Sequence, residues 1–103
     1  MSVYVIAELE LKYGRTAQFN DAMTKLVPLM EQRGWTLVAA YQNVIGDLHG
    51  VTDVWQLRDA NAVGEALASL ASDAGFTSLL PELVESVERE TIRLATKTSF
   101  SPA

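Results

Sequence analysis

The sequence predicts an α+β domain, a single antiparallel sheet with helices on one face, and three observations carry that reading. Residues 3–11 alternate apolar and polar with period two. Stripes of apolar residues at helical spacing separate the strand-like stretches, in the order strand, helix, strand, strand, helix, strand. One stretch, residues 35–45, is apolar on both faces, so it needs cover on both sides.

The first strand places Val3, Val5, Ala7, Leu9 and Leu11 on one face and Tyr4, Ile6, Glu8 and Glu10 on the other. Glu8 and Glu10, a same-face acidic pair, read as a solvated edge. Gly14 and Thr16 open a helix with Thr16 as its cap, and Phe19, Met23, Leu26, Val27 and Met30 form its stripe. Pro28 predicts a kink there, and Gly34 ends the helix. Trp35 to Ile45 is a long strand, with Leu37, Ala39 and Tyr41 against Val38, Ala40 and Val44. The turn-like run Gly46-Asp47-Leu48-His49-Gly50 joins it to a strand over 51–58, making a β-hairpin.

Asp59 and Asn61 offer caps for a second helix bearing Val63, Ala66, Leu67 and Leu70. Ser72-Asp73-Ala74-Gly75 breaks it, and a shorter helix follows with Leu79, Leu80, Leu83, Val84 and Val87 in register and Pro81 near its start. Residues 90–98 form the last strand, Ile92 and Leu94 inward and Arg93 and Lys97 outward, and Ser99 to Ala103 is a tail. This order is the ferredoxin-like βαββαβ arrangement, a split βαβ with its helices on one face of the sheet.

Composition bounds what such a domain does. At 103 residues the sequence suits one domain, 1–103, yet 49% of it is apolar, more than one small core needs. A second copy is the economical cover, so a homodimer is expected. Thirteen acidic against eight scattered basic residues give a formal charge of −5, which argues against nucleic acid and anionic membranes as partners. The lack of cysteine excludes disulfides, thiolate metal sites and a cysteine nucleophile. No apolar stretch reaches membrane-spanning length, and Met1-Ser2-Val3-Tyr4 runs into a strand with no signal-like pattern, so a cytoplasmic location is the default. No phosphate-binding, dinucleotide-binding, zinc-protease or nucleophile-elbow motif occurs. Cofactors are expected to be none, and no metal site is predicted.

Two stretches carry a family resemblance. Leu11-Lys12-Tyr13-Gly14-Arg15-Thr16-Ala17-Gln18-Phe19 spans the first strand-to-helix junction, and Gly46-Asp47-Leu48-His49-Gly50-Val51-Thr52-Asp53-Val54-Trp55 is the hairpin ending in a strand tryptophan. With them the chain resembles the NIPSNAP-type members of the dimeric α/β-barrel superfamily. The resemblance implies two sheets paired face to face into a barrel. It also implies a superfamily that includes cofactor-free oxygenases, cyclases, isomerases and haem degraders beside members of no assigned activity. In the related pattern a histidine often stands two positions before the strand tryptophan; here that position is Asp53.

The candidate chemistry is sparse. His49 is the lone histidine, the side-chain type suited to acid–base work, but it lies in a turn, where a solvated residue is the plain reading. Asp53 and Trp55 share a strand face. An aspartate half-buried beside a tryptophan can serve as a base with a raised pKa; the structural alternative is an aspartate hydrogen-bonded at a subunit seam. Asp53 and His49 are thus the catalytic candidates. Tyr41 and Asn43 share a face of the neighbouring strand and, with Trp55, are candidate ligand contacts. Trp35, Phe19, Phe76 and the three methionines read as core. Two functions stay open: a site binding an apolar or aromatic metabolite, with or without metal-free transformation, and a non-catalytic dimeric interaction module.

Overall fold

A computed structural model describes residues 2–102, so Met1 and the last residue of the tail, Ala103, lie outside the described residues. The elements run β1 (Val3–Leu11), α1 (Thr16–Glu31), β2 (Thr36–Gln42), β3 (Gly50–Leu57), α2 (Asn61–Leu70), α3 (Ala74–Ser86) and β4 (Val87–Ala95). The four strands form one antiparallel sheet in the order β2-β3-β1-β4, the ferredoxin-like α+β arrangement.

Register assigns the faces. Val5 of β1 pairs with Trp55 and Leu94, Ala7 with Asp53 and Ile92, and Leu9 with Val51 and Glu90. These residues share the helix-covered face, where the core lies in two groups. Val5, Trp55 and Leu57 pack with Met30, Trp35, Ala62, Ala66 and Leu70. Ala7, Leu9, Leu11 and Val51 pack with Phe19. The opposite face carries Tyr4, Ile6, Val54, Thr52 and Gln56 and no helix.

Several local expectations change. Thr16 does not cap α1: it is the first helical residue, and Arg15 precedes it with no side-chain cap bond. Pro28 lies inside α1, as the sequence places it, and the helix runs on past it, Gln32 N donating to the Pro28 carbonyl at 3.1 Å. Gly34 closes the helix at φ +85°, a conformation glycine adopts without Cβ strain. Gly34 N donates to Glu31 O and Trp35 N to Met30 O, each at 3.1 Å, the paired bonds of a Schellman end. At α2, Asp59 accepts from Ala62 N at 3.2 Å as expected of a cap, whereas Asn61 is already helical.

The break after α2 is shorter than expected, and α3 is the longer of the two helices, 13 residues against 10. Ala74 and Gly75 belong to α3 because Asp73 caps it, its Oδ1 accepting from Gly75 N at 2.7 Å and Phe76 N at 3.2 Å. Pro81 therefore falls at mid-helix, and Val87 begins β4 rather than extending the helical stripe. The last strand starts earlier and ends at Ala95, which leaves Lys97 outside it, 5.5 Å above the Tyr4 ring.

Charge on β1 is also placed differently. Glu8 and Glu10 stand on a central strand, not a solvated edge, and pair across to β4: Glu8 with Arg93 at 3.1 Å and Glu10 with Arg89 at 2.7 Å. Ile92 and Leu94 face the helices as expected, but each is about half exposed because β4 is the sheet edge.

The long second strand is the main revision. β2 stops at Gln42, and Val44 and Ile45 lie exposed in the loop. Its register with β3 shifts between Leu37 and Ala39. Leu37 pairs with Trp55 and joins the helix face, while Ala39 and Tyr41 pair with Val54 and Thr52 on the free face. The alternation that grouped Leu37 with Ala39 and Tyr41 is broken by this bulge.

Candidate functional site

Between the two core groups the layers do not meet, and the reason is side-chain size. Asp53 sits on β3 between Val51 and Trp55, and its register partners on either side are Ala7 of β1 and Ala40 of β2. Ala40 is exposed and borders a smaller cleft, whereas Ala7 beside this short carboxylate leaves a hollow under the helices. The resulting cavity, about 580 Å³, is floored by the sheet and roofed by α1, α2 and α3. That volume is within the usual range for small-molecule sites. Its walls are apolar, including Phe19 and Met23 of α1, Phe76 of α3 and the tryptophans. Leu67, Leu80, Val84 and Ile92, all substantially exposed, border it and give it an apolar rim.

Asp53 is the polar centre of this floor. It is 4% exposed, yet its carboxylate makes no hydrogen bond to another described residue and opens onto the cavity. Desolvation first, and the nearby charge of Glu90 second, push its pKa from 3.8 to about 6. Glu90 of β4 stands diagonally across β1 on the same face, and its own carboxyl is pushed up by desolvation. Within the chain Asp53 faces the helix layer, and no other described residue hydrogen-bonds its side chain. Trp55 packs edge-on against Trp35 with ring centroids 5.9 Å apart, and the Trp35 indole N–H donates to the Ala62 carbonyl at 3.1 Å. The pair is a rigid wall beside the carboxylate.

The other sequence candidates lie elsewhere. His49 is in the β2–β3 loop, its ring 5.2 Å from that of Tyr13, and it does not line the cavity. Asn43 lies beyond the end of β2 and donates to the Asp47 carbonyl at 2.8 Å, so it shares no strand face with Tyr41. Its part is to hold the loop. Tyr41 is 63% exposed and, by register, on the free face, though it also borders a smaller cleft of about 170 Å³ that reaches Asp53 from the β2 side. The structure thus brings Asp53 and Trp55 together and leaves His49, Asn43 and Tyr41 outside the main cavity.

Glu90 is the residue the sequence reading passed over. The signal was available: Ile92 and Leu94 were read as inward, and Glu90 has the same parity on the strand. Among the described residues, no group of three or more histidine, aspartate and glutamate side chains is placed to hold a metal ion, and no helix is long and apolar enough to cross a membrane.

A four-stranded antiparallel sheet with helices on one face and a hollow between the layers is the ferredoxin-like α+β fold. The sequence profile of the NIPSNAP family matches residues 4–102, and the chain belongs to that family. Among solved structures it is similar to a NIPSNAP family protein of unknown function from Agrobacterium tumefaciens, with 20% identity, TM-score 0.88, and 98% of this chain and 92% of that chain covered. An uncharacterized NIPSNAP domain protein from Burkholderia xenovorans is also similar, at 17% identity and TM-score 0.84 over 98% and 99% of the two chains. SnoaB, a cofactor-independent oxygenase from Streptomyces nogalater, follows at 15% identity and TM-score 0.73 over 99% and 98%. No curated protein matches the sequence.

Proposed function

We propose that this NIPSNAP-family chain binds an apolar, aromatic-sized small molecule in the cavity between sheet and helices, with Asp53 as the proton-accepting group beside it. The carrying observation is the buried Asp53 carboxylate, with no hydrogen-bond partner among the described residues, in the floor of a cavity whose other lining residues, Glu90 apart, are apolar. A folded domain tolerates such a group at a cost, and sites of function are where that cost is commonly found. With its pKa near 6, Asp53 is ionised at neutral pH yet more basic than an ordinary carboxylate, as a general base should be. SnoaB, which shares the fold, is a cofactor-independent oxygenase; that supports metal-free chemistry on this scaffold, with Asp53 drawing a proton from an acidic O–H or C–H of the ligand.

A thermal-shift screen of aromatic metabolites tests the binding, since a ligand of the native state raises the melting temperature. Once a turned-over ligand is found, Asp53→Asn should bind it and fail to convert it, because an amide cannot take up the proton. Full turnover by that variant would remove Asp53 from the role. Silence across the screen would favour the alternative, a non-catalytic dimeric module.

The same reading includes a homodimer in which the helix-free sheet face meets its own copy. Ile6, Val54 and Ala39 form an apolar patch there with Tyr41 at its edge, and closed two-fold pairing is the common solution for such a face. Sedimentation at micromolar concentration should give about twice the 11.3 kDa chain mass. A monomer at that concentration would refute the pairing.

A further inference from the structure

The cavity has a charge balance that narrows what it accepts. Its titratable lining residues, among those described, are Asp53 on β3 and Glu90 on β4; α1, α2 and α3 contribute apolar side chains to it. Among the described residues, no lysine, arginine or histidine lines it. Five cations of the chain have contacts of their own. Arg89 and Arg93 of β4 point to the free face and hold Glu10 and Glu8. Arg33 is bound by Asp73 at 2.6 Å, and the Lys12 amine donates to the Val84 carbonyl at 3.4 Å. Lys97 lies over Tyr4, also a residue of the free face. On the side of the smaller cleft, Tyr41 is the titratable neighbour and brings no positive charge.

We infer that the cavity's occupant is an apolar amine, a hydrophobic body carrying one protonated nitrogen that sits between Asp53 and Glu90. The inference rests on the cavity being a ligand site and not on Asp53 acting as a base. A buried carboxylate lacking a hydrogen-bond donor is costly, and a second carboxylate at the same cavity raises that cost. A single ammonium supplies the Asp53 carboxylate with a charge-assisted hydrogen bond and offsets the nearby charge of Glu90. A carboxylate ligand would add a third negative charge among the same walls. A neutral alcohol can donate one hydrogen bond but leaves the charge uncompensated. The apolar walls, from Phe19 to Phe76, suit the body of the molecule, and the half-exposed rim of Leu80, Val84 and Ile92 offers it a way in.

Three isosteric probes decide the matter by calorimetry: 1-naphthylmethylamine, 1-naphthylmethanol and 1-naphthoate. Near pH 8, where Asp53 is ionised, the amine should bind at least about ten-fold tighter than the alcohol, and the naphthoate weakest. Acidification to about pH 5 protonates Asp53 while the amine keeps its charge, so the preference should shrink toward unity. Asp53→Asn should weaken the amine preference near pH 8, leaving only what Glu90 contributes, while retaining its affinity for the alcohol, which also certifies its fold. If that variant does not fold, the pH dependence of the amine-to-alcohol ratio in the native protein decides alone. Alcohol binding as tight as amine binding would overturn the amine and leave the cavity as a ligand site. Undiminished amine preference in Asp53→Asn would overturn Asp53 as the partner. Binding of none of the three probes would overturn both the inference and the cavity's role.

Discussion

Asp53→Asn should stabilise the unliganded protein at neutral pH. Burial and the Glu90 charge raise the Asp53 pKa from 3.8 to about 6. That is roughly two powers of ten in proton affinity, or about 3 kcal/mol at ~1.4 kcal/mol for each. Because the folded-state pKa lies above the unfolded one, the fold favours the protonated carboxyl. That contribution is complete below pH 3.8 and is lost as the pH rises through about 6. Above this window the native state carries an ionised carboxylate with no hydrogen-bond partner among the described residues, and the asparagine variant does not. Urea denaturation near pH 7.5 should therefore show the variant more stable by up to about 3 kcal/mol, with an unchanged m-value. Near pH 4 the two proteins should differ by less than about 1 kcal/mol. Glu90, also pushed up by desolvation, is present in both proteins, so its own titration largely cancels. A variant less stable than the parent near pH 7.5, or a gap that does not close on acidification, would refute the reasoning. The outcome matters for function, because a carboxylate that costs the resting fold stability is one placed for an occupant.

Further outcomes follow from the same geometry. Ala7→Leu puts three extra carbons into the hollow opposite Asp53 rather than into packed core; unliganded stability should change by less than about 2 kcal/mol while thermal shifts with aromatic ligands disappear. Arg33 ties the three helices together, its guanidinium donating to Leu29 O of α1, Ser69 Oγ of α2 and the Asp73 cap of α3. Arg33→Ala should lower the melting temperature. Because the Arg33 hydrogen bond holds the Asp73 carboxyl below the usual carboxylate range, the loss should be fullest above that range and shrink as the pH falls through the depressed pKa. His49→Ala should shift stability by less than about 0.5 kcal/mol and leave ligand binding unchanged in calorimetry. A large loss of binding there would make the β2–β3 loop part of the site.

Strand and helix identity was legible in the residues because local periodicity expresses which face is buried. The clean alternation of 3–11 and the stripe from Phe19 to Met30 needed no tertiary information. Asp53 and Trp55 could be set side by side for the same reason, since period two places i and i+2 on one face whatever the strand packs against. Gly34 marked a helix end because its backbone conformation is a local demand.

What the sequence left open is what depends on the partner strand. The bulge after Leu37 moves Ala39 and Tyr41 to the opposite face from Leu37, and a register shift of that kind is fixed by pairing with β3, not by β2's own residues. Glu8 and Glu10 looked like an edge until strand order set β1 in the middle of the sheet with the β4 arginines beside it. Pro28 and Pro81 each remove one helical hydrogen bond, and packing of α1 and α3 on the sheet holds both helices through the loss. The cavity is the clearest case. Asp53, Ala7 and Glu90 are far apart in the chain and none is unusual alone. Only antiparallel register sets Ala7 beside Asp53 with Glu90 diagonal to it, and only the helix layer above makes the apolar cavity in which the carboxylate's pKa rises.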